Sequence, residues 1–466
     1  MASSTQRIFK PLSPEAAANM DIGVFGQQAG MQIYTQITYV FEAKEDRKTT
    51  IATLEAGLAR LVKAFPWLGG QILTTNGRRH FAPLPNGPAP LVVKDAPLSL
   101  DELRSAGYPF RLLDESVVSP RRTLPSPEEP EDKPVLLVQA TFIEGGFLLT
   151  VVAHHAAMDM AGQAAVIRWL AKGCRGESYS ENDLAIGNCD RLQFIDLLGD
   201  DEGGQDPFAL IPEQVIQPPP AAPAASATSP PSPPPSSWSY FAFDRTALAA
   251  LKKGATATLP ATAKTSFVST NDALTAFLWQ SIVRARRGRL EASASPPAPS
   301  TLARAIDIRR FFGISPEAPS LLQNMTIHTE PVARVAEAPL GELASDLRTA
   351  ILDEDRLRER TRALATAFIR FPEKSLSSVS FVGSVDTAGG GLMLSSWTLA
   401  PDFRQDFGVG HPVAVRRPQF TPVESLAYLM PADADGTVVA GLCLREADRT
   451  WLEKDGLFSK HGRYVG

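Results

Sequence analysis

A proline-rich segment just before the middle of the chain sets the strongest limit on how the polypeptide can fold. Residues 218–235 contain nine prolines in eighteen positions, with alanine, serine and threonine between them. Such a segment cannot form helix or sheet and offers little apolar surface to bury. The chain of 466 residues is also too long for one ordinary core. We therefore predict two domains, residues 1–210 and 238–466, joined by a linker over 211–237.

The composition indicates a globular protein without a nucleic-acid or membrane partner. Apolar residues make up 44% and charged residues 21%, and 46 basic against 51 acidic side chains give a net charge of −5. No apolar run approaches the roughly 18 residues of a membrane span. The polar N-terminus is not followed by the apolar core of a signal peptide. The three cysteines lie far apart, which favours a reducing, cytoplasmic setting and no metal site.

Two apolar runs, residues 135–143 and 147–153, are joined by the sequence EGG, which predicts a hairpin, and the second run predicts a buried strand followed by an amphipathic helix. Phe147 to Ala153 is short, apolar and rich in β-branched residues, whereas apolar residues recur at helical spacing from Ala164 to Ala171. Between them stands the sequence HHAAMD, residues 154–159. A histidine at the end of a buried strand is held by rigid backbone and can face a cleft. A general base for hydroxyl or thiol chemistry needs that combination.

Each polar residue of this motif also has a structural interpretation. Asp159 could cap the helix that starts near Met160 by accepting bonds from its free N–H groups. Either His154 or His155 could be a hydrogen-bonded core residue. A metal site shared by His155 and Asp159 is a further option, but no third ligand is visible nearby. The residues alone leave both the catalytic and the structural role of His155 open.

A second group of chemically capable residues lies far downstream. Residues 406–410, beginning with Asp406, read DFGVG, and two glycines flanking one residue indicate a tight turn. Before it stand Ser396 and Trp397, whose hydroxyl and indole N–H could stabilise a developing oxyanion, or could belong to an ordinary strand. Residues 342–364 predict a charged helical stretch on the surface. The chain has no phosphate-binding loop, dinucleotide fingerprint or Gly-x-Ser-x-Gly elbow, so direct transfer by a histidine base is the simplest chemistry.

The ordered pair of motifs resembles that of the BAHD acyltransferases, which carry His-x-x-x-Asp and Asp-Phe-Gly-Trp-Gly at a similar separation. Further stretches look closer to the fungal branch typified by trichothecene 3-O-acetyltransferase. They include DESVVSP at 114–120, FVSTNDALTAFLW at 267–279, MLSSW at 393–397 and VRRPQFTPVESLAYLMP at 415–431. Met160 and Val409 replace a glycine and a tryptophan of the broad family, as they do in the fungal branch. These departures weaken any transfer of residue roles from plant members.

The resemblance implies an α/β fold of two similar-sized, chloramphenicol-acetyltransferase-like domains. Each would be a mixed sheet flanked by helices, with an active-site channel between them. Acyl-CoA, most simply acetyl-CoA, would be a co-substrate rather than a permanently bound cofactor. A small-molecule alcohol, for example a trichothecene-like terpenoid, would be the acceptor. His155 would take the hydroxyl proton and return it to the CoA thiolate in one ternary complex, and the protein would act as a monomer.

The resemblance also implies positions for the remaining groups. Asp159 would be structural, pairing with Arg309 to lock the loop that carries His155. Ser396 and Trp397 would form the oxyanion or acyl pocket.

The CoA side of the channel receives its own expectations from the resemblance. Asp406 would be structural and would shape that side. Ser269 and Thr270 would cap a helix and face the cofactor. Arg416 and Arg417 would contact the CoA phosphates, with solvated surface charges as the alternative interpretation.

Three other functions compete with this one. A condensation-type enzyme would use a carrier-bound acyl group, and a related acyltransferase would act on a polyketide or an alkaloid. A non-catalytic binding homologue is the third option. The DFGVG sequence argues against the first option, and the intact His155 argues against the third.

Overall fold

The computed structural model describes residues 7–199, 206–216, 235–293, 298–382, 385–386, 389–398 and 404–466. Most of the predicted linker, residues 217–234, lies outside this range. The strands in chain order are β1 (Tyr34–Glu42), β2 (Gly70–Thr75), β3 (Arg78–Pro83), β4 (Val92–Ser99), β5 (Leu136–Glu144), β6 (Gly146–His154), β7 (Ser236–Phe243), β8 (Ser300–Asp307), β9 (Gln323–Glu330), β10 (Leu392–Ser396), β11 (Ala414–Arg416), β12 (Leu426–Leu429), β13 (Val438–Arg445) and β14 (Arg463–Tyr464).

Helices alternate with the strands along much of the chain. In chain order they are α1 (Pro14–Ala18), α2 (Arg47–Ala64), α3 (Leu100–Ser105), α4 (Glu115–Val118), α5 (Met160–Cys174), α6 (Glu181–Gly187), α7 (Arg245–Ala257), α8 (Thr270–Ser293), α9 (Val332–Glu337), α10 (Leu340–Leu352), α11 (Glu354–Arg370), α12 (Pro372–Ser378), α13 (Glu446–Lys454) and α14 (Gly456–Ser459). In the part of the chain that is described, no helix combines the length and apolar character needed to cross a membrane.

The N-terminal half is built on a five-stranded mixed sheet with the order β11-β1-β6-β5-β4. Strands β5 and β6 form the hairpin that the sequence predicts, and Gly145 at its turn has a φ of +79°, a conformation that suits glycine. Helices α2 and α5 pack against each other beside this sheet. Phe65 at the end of α2 stacks on Trp169 of α5 with ring centroids 4.2 Å apart. The last residues of the buried strand β6 therefore lie beside two helices that are packed tightly against each other.

The C-terminal half is built on a seven-stranded mixed sheet with the order β14-β7-β13-β12-β10-β8-β9. The inner strand β10 runs parallel to both β8 and β12, and the other pairs are antiparallel. Helix α8 carries an apolar core that includes Phe277, Leu278 and Trp279, and it packs beside α7, α9, α10 and α13. Two mixed α/β sheets flanked by helices confirm the predicted fold class.

One strand of the C-terminal half belongs to the N-terminal sheet. The three-residue strand β11 pairs antiparallel with β1, with Thr38 opposite Arg416 and Val40 opposite Ala414. The sheet of the first half is therefore completed by residues from the second half. The two halves share backbone hydrogen bonds as well as packed side chains.

Two sequence expectations about helices change in the structure. Residues 342–364 form two helices, because α10 ends at Leu352 and Asp353 caps the start of α11. The stretch is also not a surface feature, since Leu347, Leu357 and Leu364 are all buried. Arginines and glutamates dominate its composition, but its apolar residues recur at helical spacing and face the core.

Candidate active site

His155 lies in the turn that follows β6, where its backbone and one ring nitrogen are both held. Its N–H donates to the carbonyl of Ile33 at 2.8 Å, which ties the turn to the start of β1. Its Nδ1 lies 3.0 Å from the carbonyl oxygen of Met158. A carbonyl only accepts hydrogen bonds, so Nδ1 carries the proton and the neutral ring keeps the lone pair on Nε2. This Nε2 has no hydrogen-bonding partner among the described residues, and it is the atom a general base needs free.

The surroundings of His155 favour its neutral form. Burial lowers the pKa of His155 below the ordinary imidazole value, and the positive charge of Arg417 lowers it further. The bond to the Met158 carbonyl and the negative charge of Asp159 act in the opposite direction without reversing the shift. The ring is therefore an unprotonated base at neutral pH.

His154 is a core residue. It is 1% exposed, its Nδ1 accepts a 3.3 Å bond from the N–H of Ala156, and its ring meets the edge of Tyr34 with centroids 4.9 Å apart. Burial lowers the pKa of His154 to about 3, with a further contribution from the neighbouring His155. His154 supports the turn that carries His155.

Asp159 is the N-cap of α5 and is 4% exposed. Its Oδ1 accepts bonds from the N–H of Gly162 at 2.8 Å and from Nη2 of Arg309 at 2.9 Å. Its Oδ2 accepts from Nη1 of Arg309 at 3.0 Å and from the N–H of Leu322 at 2.8 Å. The ion pair expected from the sequence is present, and it fixes the turn after His155 to a segment of the C-terminal half.

A cavity of about 400 Å³ opens directly after this turn. It lies between the start of α5, the start of α8, strand β8 and the end of β10. Its lining residues are Asp159, Met160, Ala161, Ser269, Asn271, Arg304, Ala305, Ile306, Asp307, Arg310, Phe311, Pro316, Gln323, Arg348, Ile351, Ser395, Ser396 and Trp397. Three arginines and several hydroxyls give it many hydrogen-bond donors, which suits an anionic, oxygen-rich ligand.

Ser396 and Trp397, the residues expected at an oxyanion or acyl pocket, both line this cavity. The indole Nε1 of Trp397 donates to the hydroxyl of Ser395 at 3.0 Å, so its N–H is already engaged. The hydroxyl of Ser396 accepts a bond from the side-chain amide of Asn271 at 2.5 Å. Of the two residues, Ser396 is the one with a donor still to offer.

The residues expected to contact CoA fall into two groups. Ser269 lines the cavity, and it caps α8 through a 3.1 Å bond from the N–H of Asp272 to its hydroxyl. Thr270, the first residue of α8, is not among the residues that line the cavity.

Arg416 and Arg417 are buried in this structure, so the alternative of solvated surface charges is wrong. Arg416 is 4% exposed and pairs with Asp433 through two 3.1 Å bonds. Arg417 is 2% exposed and lies over the rings of Phe420 and Tyr428, 4.4 and 4.5 Å from their centroids. Neither arginine is among the residues that line the cavity. Their buried sites follow from pairing of β11 with β1, which places this basic pair between the two halves.

The DFGVG sequence forms a tight loop at the far end of α5. Oδ1 of Asp406 accepts bonds from the N–H groups of Gly408 and Gly410 at 2.8 and 3.0 Å. Both glycines have positive φ, +75° and +98°, which explains the residue type at each position. Phe407 is fully buried against Tyr39 and Phe41 of β1. The loop anchors the chain just before β11.

The polar residues of the cavity that escaped the sequence analysis include Asn271, Arg304, Arg310, Gln323 and Arg348. Asn271 and the neighbouring Asp272 stand at the start of α8, Arg304 in the middle of β8, and Arg348 on α10. Asp272 is fully buried and pairs with both arginines, at 2.9 Å from Arg304. An arginine within the apolar strand sequence TLARAID was the available signal, because a charge inside a core strand needs a buried partner.

No group of three or more histidine, cysteine, aspartate or glutamate side chains that could hold a metal ion occurs within the described ranges. Besides the imidazole of His155, the site has hydroxyls, amides, arginines and two carboxylates, Asp159 and Asp307, that are both paired with Arg309. That inventory fits proton transfer and binding of anionic groups.

Comparison with known proteins agrees with this geometry. Residues 33–174 match the trichothecene 3-O-acetyltransferase-like N-terminal domain. The chain is 42% identical to trichothecene 3-O-acetyltransferase TRI101 of Fusarium sporotrichioides over 96% of this chain and 97% of that protein. It is 39% identical to O-acetyltransferase dmxR13 of a Cryptosporiopsis species, again over 96% and 97%.

Solved structures give the same result. TRI101 of Fusarium graminearum in complex with coenzyme A and deoxynivalenol superimposes with a TM-score of 0.87 at 38% identity, covering 96% of this chain and 100% of that one. Vinorine synthase shares the fold with a TM-score of 0.64 at 16% identity. The chain therefore belongs to the trichothecene 3-O-acetyltransferase-like family of O-acetyltransferases.

Proposed function

We propose that this chain transfers the acetyl group of acetyl-CoA to a hydroxyl of a secondary-metabolite alcohol. The observation that carries the proposal is the state of His155: its Nδ1 proton is held by the Met158 carbonyl, and its Nε2 lone pair is free. The neutral base stands just after a rigid strand, in the turn whose last residue, Asp159, lines the cavity, although His155 itself is not among the lining residues. Full-length similarity to O-acetyltransferases supports the same reaction.

In this mechanism Nε2 of His155 takes the proton of the acceptor hydroxyl as its oxygen attacks the thioester carbonyl. The carbonyl oxygen becomes negative in the tetrahedral intermediate. When the intermediate collapses, the carbon–sulfur bond breaks and the imidazolium gives its proton to the departing thiolate. The products are the acetyl ester and CoA, and His155 returns to its neutral form. A pKa below the usual imidazole value keeps His155 unprotonated at neutral pH. It also makes the imidazolium a stronger acid, which gives its proton to the thiolate more readily.

We place acetyl-CoA in the cavity that begins at Asp159. Its thioester end would lie toward Ser396, which lines this cavity. Arg416 and Arg417 do not line it, and their contact with the CoA phosphates stays a prediction. Asp406 acts at a distance in this proposal, by holding the loop before β11.

The first acceptor to test is a trichothecene, because relatives at 38% to 42% identity are named for, or bound to, trichothecenes. Other relatives are named as acetyltransferases of different metabolites, including an eremophilane O-acetyltransferase at 26% identity. We further propose that the protein works as a monomer in the cytoplasm. Its three free cysteines are buried, and a reducing compartment would keep them as thiols.

The test is release of free CoA from acetyl-CoA in the presence of deoxynivalenol, T-2 toxin and a panel of other polycyclic alcohols, with mass spectrometry of the products. Turnover of a trichothecene hydroxyl supports the specific acceptor, and turnover of another scaffold alone refutes it. The His155→Ala variant should lose activity by about 100-fold to 10,000-fold, and its melting temperature should stay at the wild-type value. Unchanged turnover in that variant would contradict the mechanism.

A further inference from the structure

A small polar network behind Ser396 has no part in the mechanism so far. The side-chain amide of Asn271 lies 2.5 Å from the hydroxyl of Ser396 and 3.1 Å from the hydroxyl of Thr398. These two hydroxyls lie 2.9 Å from each other. On its other side Asn271 meets Nη2 of Arg304 at 2.6 Å. The network joins the start of α8 to the end of β10 at the wall of the cavity.

Arg304 determines which way the amide of Asn271 faces. A guanidinium has only donors, so the atom of Asn271 that it contacts must be the carbonyl oxygen Oδ1. Arg304 is itself fixed, because it is 4% exposed and pairs with the buried carboxylate of Asp272 at 2.9 Å. The amide NH₂ of Asn271 must therefore face the two hydroxyls, and both hydroxyl oxygens must accept from it.

The orientation of the amide decides what the hydroxyl protons can do. Ser396 and Thr398 each accept from Asn271, and one of them donates to the other. That leaves a single hydroxyl proton with no acceptor among the described residues. Only Ser396 of the two lines the cavity. A ligand oxygen beside Ser396 would therefore select the arrangement in which Thr398 donates to Ser396 and Ser396 donates to the ligand.

We propose that Asn271 is a positioning residue that makes Ser396 a hydrogen-bond donor to the thioester carbonyl oxygen of acetyl-CoA. This inference rests on the proposed function for the identity of the ligand. The bond exists in the bound substrate and strengthens as negative charge develops on that oxygen in the transition state. Both ends of the Asn271 amide are engaged by protein groups in this arrangement. Asn271 acts by presenting only donors to the two hydroxyls, so that among the described residues the Ser396 proton has no acceptor other than the Thr398 oxygen.

The decisive variant is Asn271→Asp, which keeps the size of the side chain and replaces a donor by an acceptor. The carboxylate keeps a partner in Arg304 and recruits the hydroxyl protons of Ser396 and Thr398 to itself. We expect kcat to fall by about 100-fold to 1,000-fold, the usual loss of one oxyanion donor, with little change in KM for acetyl-CoA. Ser396→Ala should show the same loss, and Ser396→Ala combined with Asn271→Asp should lose no more than either alone.

A matched control is Thr301→Val, which removes one member of the hydroxyl pair Thr301–Thr329 on the same sheet. This pair does not line the cavity, so kcat should stay at the wild-type value. Melting temperature and CoA binding by calorimetry show whether each variant is folded. Turnover of Asn271→Asp within the range of the Thr301→Val control would overturn the proposal. So would a double variant whose loss is the product of the two single losses.

A second measurement separates this proposal from the acceptor question. Infrared difference spectroscopy of bound acetyl-CoA with an isotope-labelled thioester carbonyl reports the hydrogen bond without any alcohol present. We expect a lower carbonyl frequency in the wild type than in solution, and a return toward the solution value in Asn271→Asp and Ser396→Ala. If that shift occurs but no alcohol is acetylated, Asn271 retains its role and the proposed function fails. Equal frequencies in the wild type and Asn271→Asp would refute the role of Asn271.

Discussion

Asp159 and Asp272 are both buried carboxylates in the first turn of a helix, and both pair with arginine, but they differ in what they leave free. Around Asp159 the cluster is closed. Arg309 donates to Asp159, to Asp307 and to the carbonyls of Ala318 and Ser320, so every nitrogen of its guanidinium is engaged. Burial opposes the charge of Arg309, yet the two aspartates outweigh it and raise the pKa of the guanidinium.

Around Asp272 the cluster is open toward the cavity. Arg304 pairs with Asp272 from one side, and Arg348 on the other side of the carboxylate is partly exposed and lines the cavity. Burial tends to raise the pKa of Asp272, but Arg304, bonds from Ser269 and Arg348 outweigh it and lower the pKa. The closed cluster fixes a backbone turn, whereas the open one retains donors that a ligand can use. The closed cluster thus contributes to stability and the open cluster to ligand binding, although both consist of aspartate and arginine.

Removing the cation of the closed cluster should have the largest effect. Arg309→Met leaves the Asp159 carboxylate buried with only the N–H groups of Gly162 and Leu322, and the free energy of unfolding should fall by about 3–5 kcal/mol. Urea denaturation measures the loss. Arg310→Met, at an exposed neighbouring position, is the control and should change stability little. Equal stability of the two variants would show that the closed cluster does not hold the turn.

The same change in the open cluster should cost less and should affect binding. Arg348→Met leaves Asp272 with Arg304 and Ser269, so we expect a loss of about 1.5–3 kcal/mol, the value of one hydrogen bond to a charged group. KM for acetyl-CoA should rise, because Arg348 lines the cavity. Urea denaturation and steady-state kinetics measure the two effects. A stability loss as large as that of Arg309→Met, with KM unchanged, would erase the distinction between the clusters.

Each half also contains an imidazole, buried in the case of His154 and partly buried in the case of His328, whose titration should weaken the fold in acid. Burial lowers the pKa of His154 to about 3 and that of His328 to about 4. In the unfolded chain both histidines titrate near 6.5, so below that pH the unfolded state binds protons that the folded state does not bind. The free energy of unfolding should therefore fall as the pH decreases from about 6.5 toward 4. His154→Gln should flatten this dependence more than His328→Gln, as chemical denaturation at several pH values would measure. The reverse order would contradict the assignment.

The smallest expected effects are shifts in the pH dependence of activity. Asp159 raises the pKa of His155 and Arg417 lowers it. Activity fails in acid when His155 becomes protonated, so Asp159→Asn should move the acid limb of kcat/KM to lower pH and Arg417→Gln should move it to higher pH. Asp272→Asn should leave the midpoint in place, because two arginines surround that carboxylate. If Asp159→Asn and Arg417→Gln both move the acid limb of kcat/KM in the same direction, protonation of His155 does not determine that limb.

The elements next to His155 could be read from the sequence because their signals are local. An apolar strand, a capping aspartate and a helical stripe predict β6 and α5, and the start of the helix at Met160 is confirmed. The proline at position 66 is a further local signal, since proline disfavours helix in the residue before it and α2 ends at Ala64. The Asp159–Arg309 pair joins residues far apart in the chain, and only the family resemblance made it predictable.

The rest of the site depends on pairing between distant segments, which a single sequence does not encode in a readable way. Arg304 and Arg348 come from a strand and a helix that meet at Asp272 only because β8 and α10 both pack beside α8. The burial of Arg416 and Arg417 depends on β11, a strand of three residues with no periodicity to detect. Charged residues in such places look like surface residues until the partner segment is known.

The pairing of β11 with β1 has a consequence for how the chain is made. β1 emerges from the ribosome with one edge open to solvent, and the strand that covers this edge, β11, begins only at Ala414. An uncovered, largely apolar strand edge can pair with the same strand of another nascent chain. Completion of the N-terminal sheet must therefore wait until β11 has been synthesised. A fragment ending before Ala414 would expose the open edge of β1 permanently, and we expect it to aggregate when the full chain does not.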